Sequence, residues 1–558
     1  MKISFIKPLF VAGIAFTFAA CGTTNPVLVS TPVENIDEIP LKITPLTDTQ
    51  LKNWGEYDLV RDTIPGMSIN KAYAEIIKNK TGNQVIVAVV DSGVDITHED
   101  LQSVVWVNSK EVRNNGKDDD NNGYIDDING WNFLGDAVKE NLEYTRILKR
   151  LKPKYDGKPA SSISSSNRAE YDLYVSAKAE YDKEYNETVQ NKTQYEQIKQ
   201  QLVVAHKAVS AKLGKEDYTK KELAAMEATT TEMQQYKGML TQIQNNVNEN
   251  IPEALKELDE AIEYFSNRLD THFNLNLDGR AIVGDDPYDI KDTKYGNNNV
   301  TGPTKDKEDI KHGTHVAGII AAKRGNNIGI NGVANNVKIM VVRAVPDGDE
   351  YDKDIALGIR YAVDNGAKVI NTSFGKYFSP NPEFVFDALK YAASKDVLIV
   401  NAAGNEGLDL DTKMVYPNDQ TPQNSNEIVN NVLTVGALNY EYGSGLVAGF
   451  SNFGKSNVDV FAPGTKIWST TPNNTYEFLQ GTSMAAPAVA GVAAVIRSYY
   501  PKLSAAQVKQ IIMNSGISTK ASVVLSENTM NKKFTDLSVS GKMVNLYNAL
   551  ILAEKESK

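Results

Sequence analysis

The chain has 558 residues, with 70 acidic and 59 basic side chains and a formal net charge of −11. This length predicts two or more structural units. The acidic balance argues against nucleic acid as a partner, because phosphate binding requires a basic surface. A single cysteine allows no disulfide within the chain, so stability must come from the core and from bound ions.

Residues 1–20 are predicted to be an export signal, because two lysines precede an apolar run that is too short to span a bilayer as a helix. The run ends in Phe-Ala-Ala-Cys-Gly, which resembles a bacterial lipoprotein signal and implies that Cys21 is lipidated. The alternative is an ordinary secretory signal with an incidental cysteine. Residues 21–50 are rich in Thr, Pro and Val and are interpreted as a membrane tether. We therefore expect a protein of the bacterial cell envelope, at the outer membrane or the cell surface.

A serine near the C-terminal end has the surroundings of a nucleophile. Ser483 lies in Gly-Thr-Ser-Met-Ala-Ala-Pro, and the run of Ala, Val and Gly that follows predicts a buried helix. At a helix N-terminus, unpaired N–H groups and the positive end of the helix dipole would face an anion at the serine oxygen. Such a serine needs a base and a group that orients the base. The candidates are His312, in His-Gly-Thr-His-Val-Ala-Gly, and Asp91, at the end of Val-Ala-Val-Val-Asp.

Each of these residues alone has a structural alternative, namely a helix cap, a core histidine or a turn residue. The three motifs together, in the order Asp, His, Ser, resemble those of the subtilisin-like serine peptidases (subtilases) over most of the chain. The resemblance implies that His312 is the general base, that Asp91 orients it and that Ser483 is the nucleophile. It also implies that Asn405, in Ala-Ala-Gly-Asn, donates a hydrogen bond to the oxyanion.

The expected fold class is α/β, a subtilisin-like three-layer sandwich with a mainly parallel sheet. Continuous apolar runs such as residues 84–90 suit strands that are covered on both faces. The catalytic domain is expected in two parts, residues 51–138 and 278–515, separated by an insert over residues 139–277. Residues 516–558 form a C-terminal extension in which no motif is found.

The insert is charged and contains few glycines. From Leu240 to Leu269 its apolar residues recur at intervals of three and four, which is typical of an amphipathic helix, and Pro252 could begin a further helix. Tyrosines from Tyr174 onward recur at intervals of seven or fourteen, as in a coiled coil, and are interpreted as core packing. The insert is therefore predicted to be an antiparallel helical hairpin or small bundle, and it is a possible docking site for a protein partner.

The family resemblance implies a binding site for polypeptide substrates. Ser373, Phe374 and Gly375 resemble the substrate-binding strand, whose exposed edge would pair with an extended peptide. Ala403 and Gly404 would line one side of the primary specificity pocket.

An acidic loop resembles the first part of an EF-hand calcium loop. Asp118, Asp120 and Asn122 occupy alternate positions, a glycine follows, and Asp126 comes four residues after Asn122. The twelfth position holds Asn129 instead of a bidentate glutamate, so a complete EF-hand is not supported. The alternative is a solvated acidic turn.

A second calcium site is implied by the family resemblance alone. There, Asp100 and Asn326 would provide side-chain oxygens, and the alternative is a plain turn. Structural Ca²⁺ is therefore the expected cofactor, and no organic cofactor is expected.

These observations together predict an exported, lipid-anchored serine endopeptidase that hydrolyses polypeptides through an acyl-enzyme. One alternative on the same fold is a peptide ligase or macrocyclase, which would exclude water from the acyl-enzyme. Another is a non-catalytic surface binding protein whose helical insert is the interaction module; the complete set of catalytic residues counts against it.

Overall fold

The computed structural model describes residues 30–34, 36–38, 44–247, 250–421, 426–525 and 530–558. The predicted export signal and Cys21 lie outside these described residues. Within the described ranges, no helix is both long enough and apolar enough to cross a membrane.

The centre of the molecule is a seven-stranded sheet in which every neighbouring pair of strands is parallel. Its strand order is β2-β3-β1-β4-β5-β6-β7. Two antiparallel hairpins, β8–β9 and β10–β11, lie outside this sheet. The strands are β1 (Val85–Asp91), β2 (Gly130–Asn132), β3 (Val337–Arg343), β4 (Val369–Thr372), β5 (Leu398–Ala402), β6 (Val432–Leu438), β7 (Val460–Pro463), β8 (Ile467–Thr471), β9 (Thr475–Leu479), β10 (Ser522–Leu525) and β11 (Met530–Lys533).

Helices cover both faces of the sheet and form the insert. The α-helices are α1 (Asp48–Lys52), α2 (Leu59–Asp62), α3 (Ile69–Ala72), α4 (Glu143–Tyr155), α5 (Arg168–Leu213), α6 (Lys220–Ala225), α7 (Thr231–Val247), α8 (Ile251–Asn267), α9 (Lys311–Ala321), α10 (Asp352–Asp364), α11 (Pro382–Ser394), α12 (Thr482–Tyr499), α13 (Ala505–Ser515) and α14 (Leu546–Glu556). Short π-helical turns occur at Tyr73–Ile77 and Arg268–His272. Single 3₁₀ turns occur at Ile36–Glu38, Trp54–Glu56, Ala160–Ser162, Ser165–Asn167, Arg280–Ile282, Glu308–Ile310 and Phe534–Asp536.

The two faces of the sheet belong to separate apolar clusters. Val87 and Val89 of β1 pack with α9 and α12, whereas Ala88 and Val90 pack with α10 and α11. All four side chains are completely buried, as expected for a parallel strand covered on both faces. The predicted three-layer α/β sandwich with a parallel sheet is confirmed.

Helix α12 lies against β1, β4, β5, β6 and β7 and against α9. Its small side chains permit this close approach: a Cβ on Gly491 would lie 2.5 Å from the Cβ of Val333. A larger residue at this position would push the helix away from its neighbours. The position of α12 matters because its first turn carries Ser483.

The insert is an antiparallel arrangement of helices, as predicted. Its α5 has 46 residues and is therefore about 69 Å long at 1.5 Å per residue. Helix α8 runs back along α5, since Tyr195 contacts Phe265 and Glu184 lies 3.6 Å from Arg268. Helix α7 packs on the far end of α5. The insert thus forms a long arm whose base is α4.

The apolar repeat that begins at Leu240 is divided between two helices. Helix α7 ends at Val247 and α8 begins at Ile251, where Asn250 Oδ1 accepts a hydrogen bond from the N–H of Glu253 at 2.9 Å. Pro252 lies in the first turn of α8, where its missing N–H costs no hydrogen bond. A strong cap and a proline therefore interrupt a pattern whose period alone predicts one helix.

The C-terminal extension completes the core of the catalytic domain. Phe534 and Leu546 are fully buried, and the Phe534 ring lies 5.5 Å from that of Phe461 in β7. Helix α14 also holds the N-terminal segment, because Asn548 exchanges two hydrogen bonds with the backbone of Val33, at 2.8 and 3.1 Å. The chain is thus attached to the body well before α1.

Candidate active site

Asp91 and His312 meet at the carboxyl edge of the sheet, where α/β proteins form their sites. Asp91 ends β1 and is buried, and His312 is the second residue of α9. His312 Nδ1 lies 2.7 Å from Asp91 Oδ1, which also accepts a hydrogen bond from the N–H of Ser92. A Cβ on Gly313 would lie 2.1 Å from the carbonyl oxygen of Gly93, so glycine is required for α9 to come this close. Gly313 therefore permits the close approach of α9 to the end of β1.

The carboxylate of Asp91 controls the protonation of His312. Burial lowers the pKa of His312, but the charge and hydrogen bond of Asp91 outweigh burial, and the net result is a raised pKa. The stability that this ion pair contributes is complete below the ordinary imidazole pKa of about 6.5 and is lost as the pH rises through the raised value. Above that value the neutral ring can accept a proton.

The neighbouring His315 has a different environment. It is fully buried, and its Nε2 lies 3.1 Å from the carbonyl oxygen of Ile467 and 3.2 Å from that of Glu477. Burial is the main cause that lowers its pKa to about 3. His315 is therefore neutral and links α9 to the β8–β9 hairpin.

Ser483 lies in the first turn of α12 and contacts the segment that follows β4. Its hydroxyl donates to the carbonyl oxygen of Ser373 at 3.1 Å, and the hydroxyl of Ser373 donates to the carbonyl oxygen of Ser483 at 2.9 Å. Ser373, His312 and Asp91 line one cleft of about 620 Å³. The Ser483 hydroxyl thus points to Ser373, in the segment predicted to bind substrate, and a rotation about its Cα–Cβ bond would redirect it.

Asn405 is fixed by the residue before Ser483. Its Oδ1 accepts hydrogen bonds from the N–H of Thr482 at 2.8 Å and from the Thr482 hydroxyl at 3.0 Å. Among the described residues its Nδ2 makes no hydrogen bond, so this donor is free beside the start of α12. Thr482, which the motifs did not single out, thus orients the Asn405 amide, whose donor is predicted to face an oxyanion.

The predicted substrate-binding residues converge on the same edge. Ser373 and Ala403 are buried, and Gly375 is exposed. Phe374 is partly buried against the apolar cluster that contains α10 and α11. A Cβ on Gly404 would lie 2.3 Å from Asn452 Nδ2, so a side chain there would displace the loop that carries Asn405. These five residues therefore flank the start of α12 from the ends of β4 and β5.

The acidic loop uses part of the predicted calcium ligand set for its own turns. The carboxylate of Asp118 accepts from the N–H groups of Asn122 and Gly123 at 3.0 and 2.8 Å. The carboxylate of Asp126 accepts from the N–H of Gly116 at 2.8 Å. Both side chains therefore stabilise the loop backbone.

A second set of carboxylates, which shares only Asp120 with the predicted ligands, gathers at this loop. One oxygen from each of Glu111, Asp120 and Asp127 lies within 4.8 Å of the others. Glu111 Oε2 is buried without a partner among the described residues, and Asn122 donates to Asp127 at 3.0 Å. Burial raises the pKa of Asp127 to about 6, although the hydrogen bond from Tyr361 opposes the shift. Three clustered carboxylates, one with an unused buried oxygen, fit a hard cation such as Ca²⁺.

Asp100 and Asn326 are in contact. Asn326 Nδ2 donates to Asp100 Oδ1 at 2.7 Å, and the N–H of Ile330 donates to Asp100 Oδ2 at 3.1 Å. The carboxylate oxygens of this second predicted site are thus occupied by protein donors.

Buried Asp91, partly exposed His312 and Ser483 thus lie at one edge of a parallel α/β sheet. An aspartate, a histidine and a serine are the groups through which serine peptidases transfer a proton from the nucleophile. A model described as "Subtilase family" matches residues 82–540, which is most of the chain. The chain therefore belongs to the subtilase family.

Several curated proteins match the chain. It is 40% identical over 225 residues to "Thermophilic serine proteinase" of Bacillus sp. (strain AK1), covering 40% of this chain and 48% of that protein. It is 34% identical over 252 residues to "Subtilisin BL" of Lederbergia lenta, covering 45% and 80%. A solved structure from Pseudoalteromonas arctica PAMC 21717, titled as proteases, is 30% identical, with a TM-score of 0.36 and coverage of 43% and 70%. The chain thus spans about half the length of the first of these relatives.

The Asp91–His312 contact gives a direct expectation for titration. We expect the His312 ring, followed by NMR, to titrate above about 6.5, the ordinary imidazole value. In Asp91→Asn its pKa should fall below that value, because burial then acts without the opposing carboxylate. His206 in the insert, whose pKa burial lowers, is the internal control and should not move. A His312 pKa that is the same in both proteins would contradict this electrostatic account.

Proposed function

We propose that the chain is a serine endopeptidase in which His312 takes the proton of Ser483 while Asp91 holds the ring. The Ser483 oxygen then attacks the peptide carbonyl, and His312 returns the proton to the leaving amine to give an acyl-enzyme. Water activated by His312 hydrolyses this ester. The observation that carries the proposal is the 2.7 Å Asp91–His312 contact in the cleft that also holds Ser373, the hydrogen-bond partner of Ser483.

The oxyanion of the tetrahedral intermediate would receive two donors. The first donor is Asn405 Nδ2, which is free while Thr482 binds the amide oxygen. The second is the N–H of Ser483, in the first turn of α12. The positive end of the α12 dipole would favour the same charge. Loss of either donor should lower kcat more than it raises KM.

Polypeptides are the proposed substrates. Gly375 is exposed, and a backbone edge without a side chain can pair with an extended peptide. The cleft at Asp91 and His312 reaches Ser373, and a second cleft of about 470 Å³ lies between Gly375 and the insert. Both support a substrate longer than one residue on each side of the scissile bond.

The nucleophile is tested by labelling. A fluorophosphonate probe should modify the peptide that contains Ser483, and Ser483→Ala should lose labelling and at least about 10³-fold of casein hydrolysis, because nucleophile and base act together. The variant should keep the parent melting temperature. A folded Ser483→Ala protein that cleaves casein at the parent rate would overturn the proposal in favour of another centre, and a parent that neither labels nor cleaves would favour a binding protein.

We also propose a structural Ca²⁺ ion at Glu111, Asp120 and Asp127. The support is the unused buried oxygen of Glu111 and the proximity of three carboxylates that repel one another without a cation. Bound Ca²⁺ would hold the acidic loop near β2 and would take no part in proton transfer.

Calcium should raise the melting temperature of the parent, because an ion that binds only the folded state stabilises it by mass action. This rise between excess EGTA and millimolar calcium should disappear in Asp127→Asn. The matched control is Asp126→Asn, whose carboxylate contacts loop N–H groups, and it should keep the rise. A rise lost in Asp126→Asn and kept in Asp127→Asn would instead support the ligand set read from the loop spacing.

We propose that the protein is exported and anchored to a membrane by lipid on Cys21. The support is the sequence of residues 1–22 alone. Because Val33 is held by Asn548, only twelve residues would connect the lipid to the body, and they can extend to at most about 40 Å. An anchored enzyme would therefore work close to the membrane surface.

The anchor is tested at Cys21. Mature protein should have a lipidated Cys21 as its first residue by mass spectrometry and should sediment with membranes, and Cys21→Ser should lack the lipid mass. Peptidase activity in detergent should be equal for both proteins, which separates anchoring from folding. A mature N-terminus elsewhere, without lipid, would remove the anchor from the proposal.

The insert is proposed as a surface for a protein partner. Its support is an arm about 69 Å long that exposes apolar side chains, among them Val203 and Val204, which are 42% and 49% exposed.

A further inference from the structure

Buried charges join the base of the insert to the segment that follows β4, which is predicted to bind substrate. Lys376 directly follows the exposed Gly375, yet Lys376 is only 2% exposed. Its ammonium lies 2.8 Å from Glu143 Oε2 of α4, 2.8 Å from the carbonyl oxygen of Glu350 and 2.9 Å from Asp352 Oδ1 of α10. These three acceptors use all three N–H donors of a lysine. One side chain thus connects the insert, the segment before α10 and the segment that follows β4.

The same helix of the insert holds a second segment beside the cleft. Arg146 Nη1 donates to the carbonyl oxygen of Asp349 at 2.7 Å, and Arg146 Nη2 donates to that of Glu350 at 3.0 Å and to the Glu143 carboxylate. The N–H of Glu143 donates to Asp349 Oδ2 at 2.7 Å. Glu143 therefore lies between two cations. Lys376 belongs to the segment after β4, and Arg146 binds the segment before α10.

The segments fixed in this way border both clefts. We name residues 347–350 the first wall and residues 373–377 the second wall. Asp347 and Ser373 line the cleft that contains His312, and Asp349 and Gly375 line the cleft next to the insert. A peptide lying on Gly375 would pass between these walls, so their separation determines how well it fits.

Glu143 is ionised in this network. Burial raises its pKa, but Arg146 and Lys376 outweigh burial and lower it to about 2. One of its oxygens accepts from both cations, and the other is buried without a partner among the described residues. Removal of its charge would leave two buried cations with one fewer counter-charge, which is costly at low dielectric.

We infer that Glu143 and Arg146 of the insert are positioning residues that set the separation of the two walls and thereby the affinity for extended peptides. The inference rests on the proposed peptidase function and assigns to the base of the insert a role in substrate binding. It leaves the chemistry to Asp91, His312 and Ser483, none of which contacts Glu143. Removal of the Glu143 charge should therefore act on binding more than on turnover.

The test is Glu143→Gln, which keeps the shape of the side chain and removes its charge. We expect KM for fluorescein-labelled casein to rise roughly tenfold while kcat stays within about twofold of the parent, because misplaced walls weaken binding without altering proton transfer. Hydrolysis of p-nitrophenyl acetate, which is too small to span the walls, should be unchanged. All rates are normalised to the number of sites that react with a fluorophosphonate, which removes any contribution of misfolded protein.

Three further variants make the result specific. Glu170→Gln removes an exposed ion pair with Lys154, 2.6 Å long, in the same insert and should keep the parent KM. Glu143→Gln combined with Lys376→Met removes one negative and one positive charge and so restores the parent net charge of the buried cluster, and it should fold even if the single variant does not. Its KM should exceed that of the parent, and the rise should be smaller than the product of the rises in Glu143→Gln and Lys376→Met, because these two residues share one contact.

The outcomes separate this inference from the proposed function. A parent that neither labels nor cleaves casein overturns both. An active parent, together with parental KM values for casein in Glu143→Gln and in the double variant, overturns the positioning role and leaves the peptidase proposal intact. A raised KM in Glu143→Gln that Glu170→Gln does not share supports the inference.

Discussion

The site depends on how the first turn of α12 is fastened. Ser483 and Ser373 exchange two hydrogen bonds, and Thr482 is joined to Asn405 by two more. The first pair ties the helix to the end of β4, and the second ties it to the loop after β5. Because β4 and β5 are neighbouring parallel strands, both attachments lie at one edge of the sheet. The helix start cannot shift without breaking one of them.

The other half of the site is supplied by β1 and α9. Strand β1 lies between β3 and β4, so its last residue, Asp91, emerges next to the segment that carries Ser373. His312 is 221 residues away in sequence, but α9 packs directly on β1 and α12. A long insert can therefore separate the two residues in the chain without separating them in space, provided that both of its ends return to the same edge.

Much of this arrangement could be predicted from the sequence. Apolar runs identified the buried strands because parallel strands covered on both faces have no polar alternation. The repeat from Leu240 to Leu269 identified helices, although the cap at Asn250 that divides them is a local feature that periodicity does not register. The catalytic candidates came from short motifs whose residues are contiguous in the sequence.

The contacts that could not be predicted join residues that are far apart in the sequence or in different elements. Glu111 lies outside the spacing of the acidic loop, and only the folded chain brings it to Asp120 and Asp127. Lys376 follows an exposed glycine, and lysine is a residue type that is usually exposed. Contacts from α4 and α10 nevertheless bury it. The orientation of the Ser483 hydroxyl toward Ser373 also depends on packing between two elements.

The central claim is that the start of α12, Asn405 and the Asp91–His312 pair form one catalytic centre. A crystal structure of the fluorophosphonate adduct tests it most directly. The account predicts phosphorus bonded to Ser483 Oγ, with one phosphoryl oxygen about 2.7–3.1 Å from Asn405 Nδ2 and from the N–H of Ser483. His312 should lie within hydrogen-bond reach of the adduct. An adduct on Ser483 whose phosphoryl oxygen points away from Asn405, or an adduct on another residue, would contradict the account.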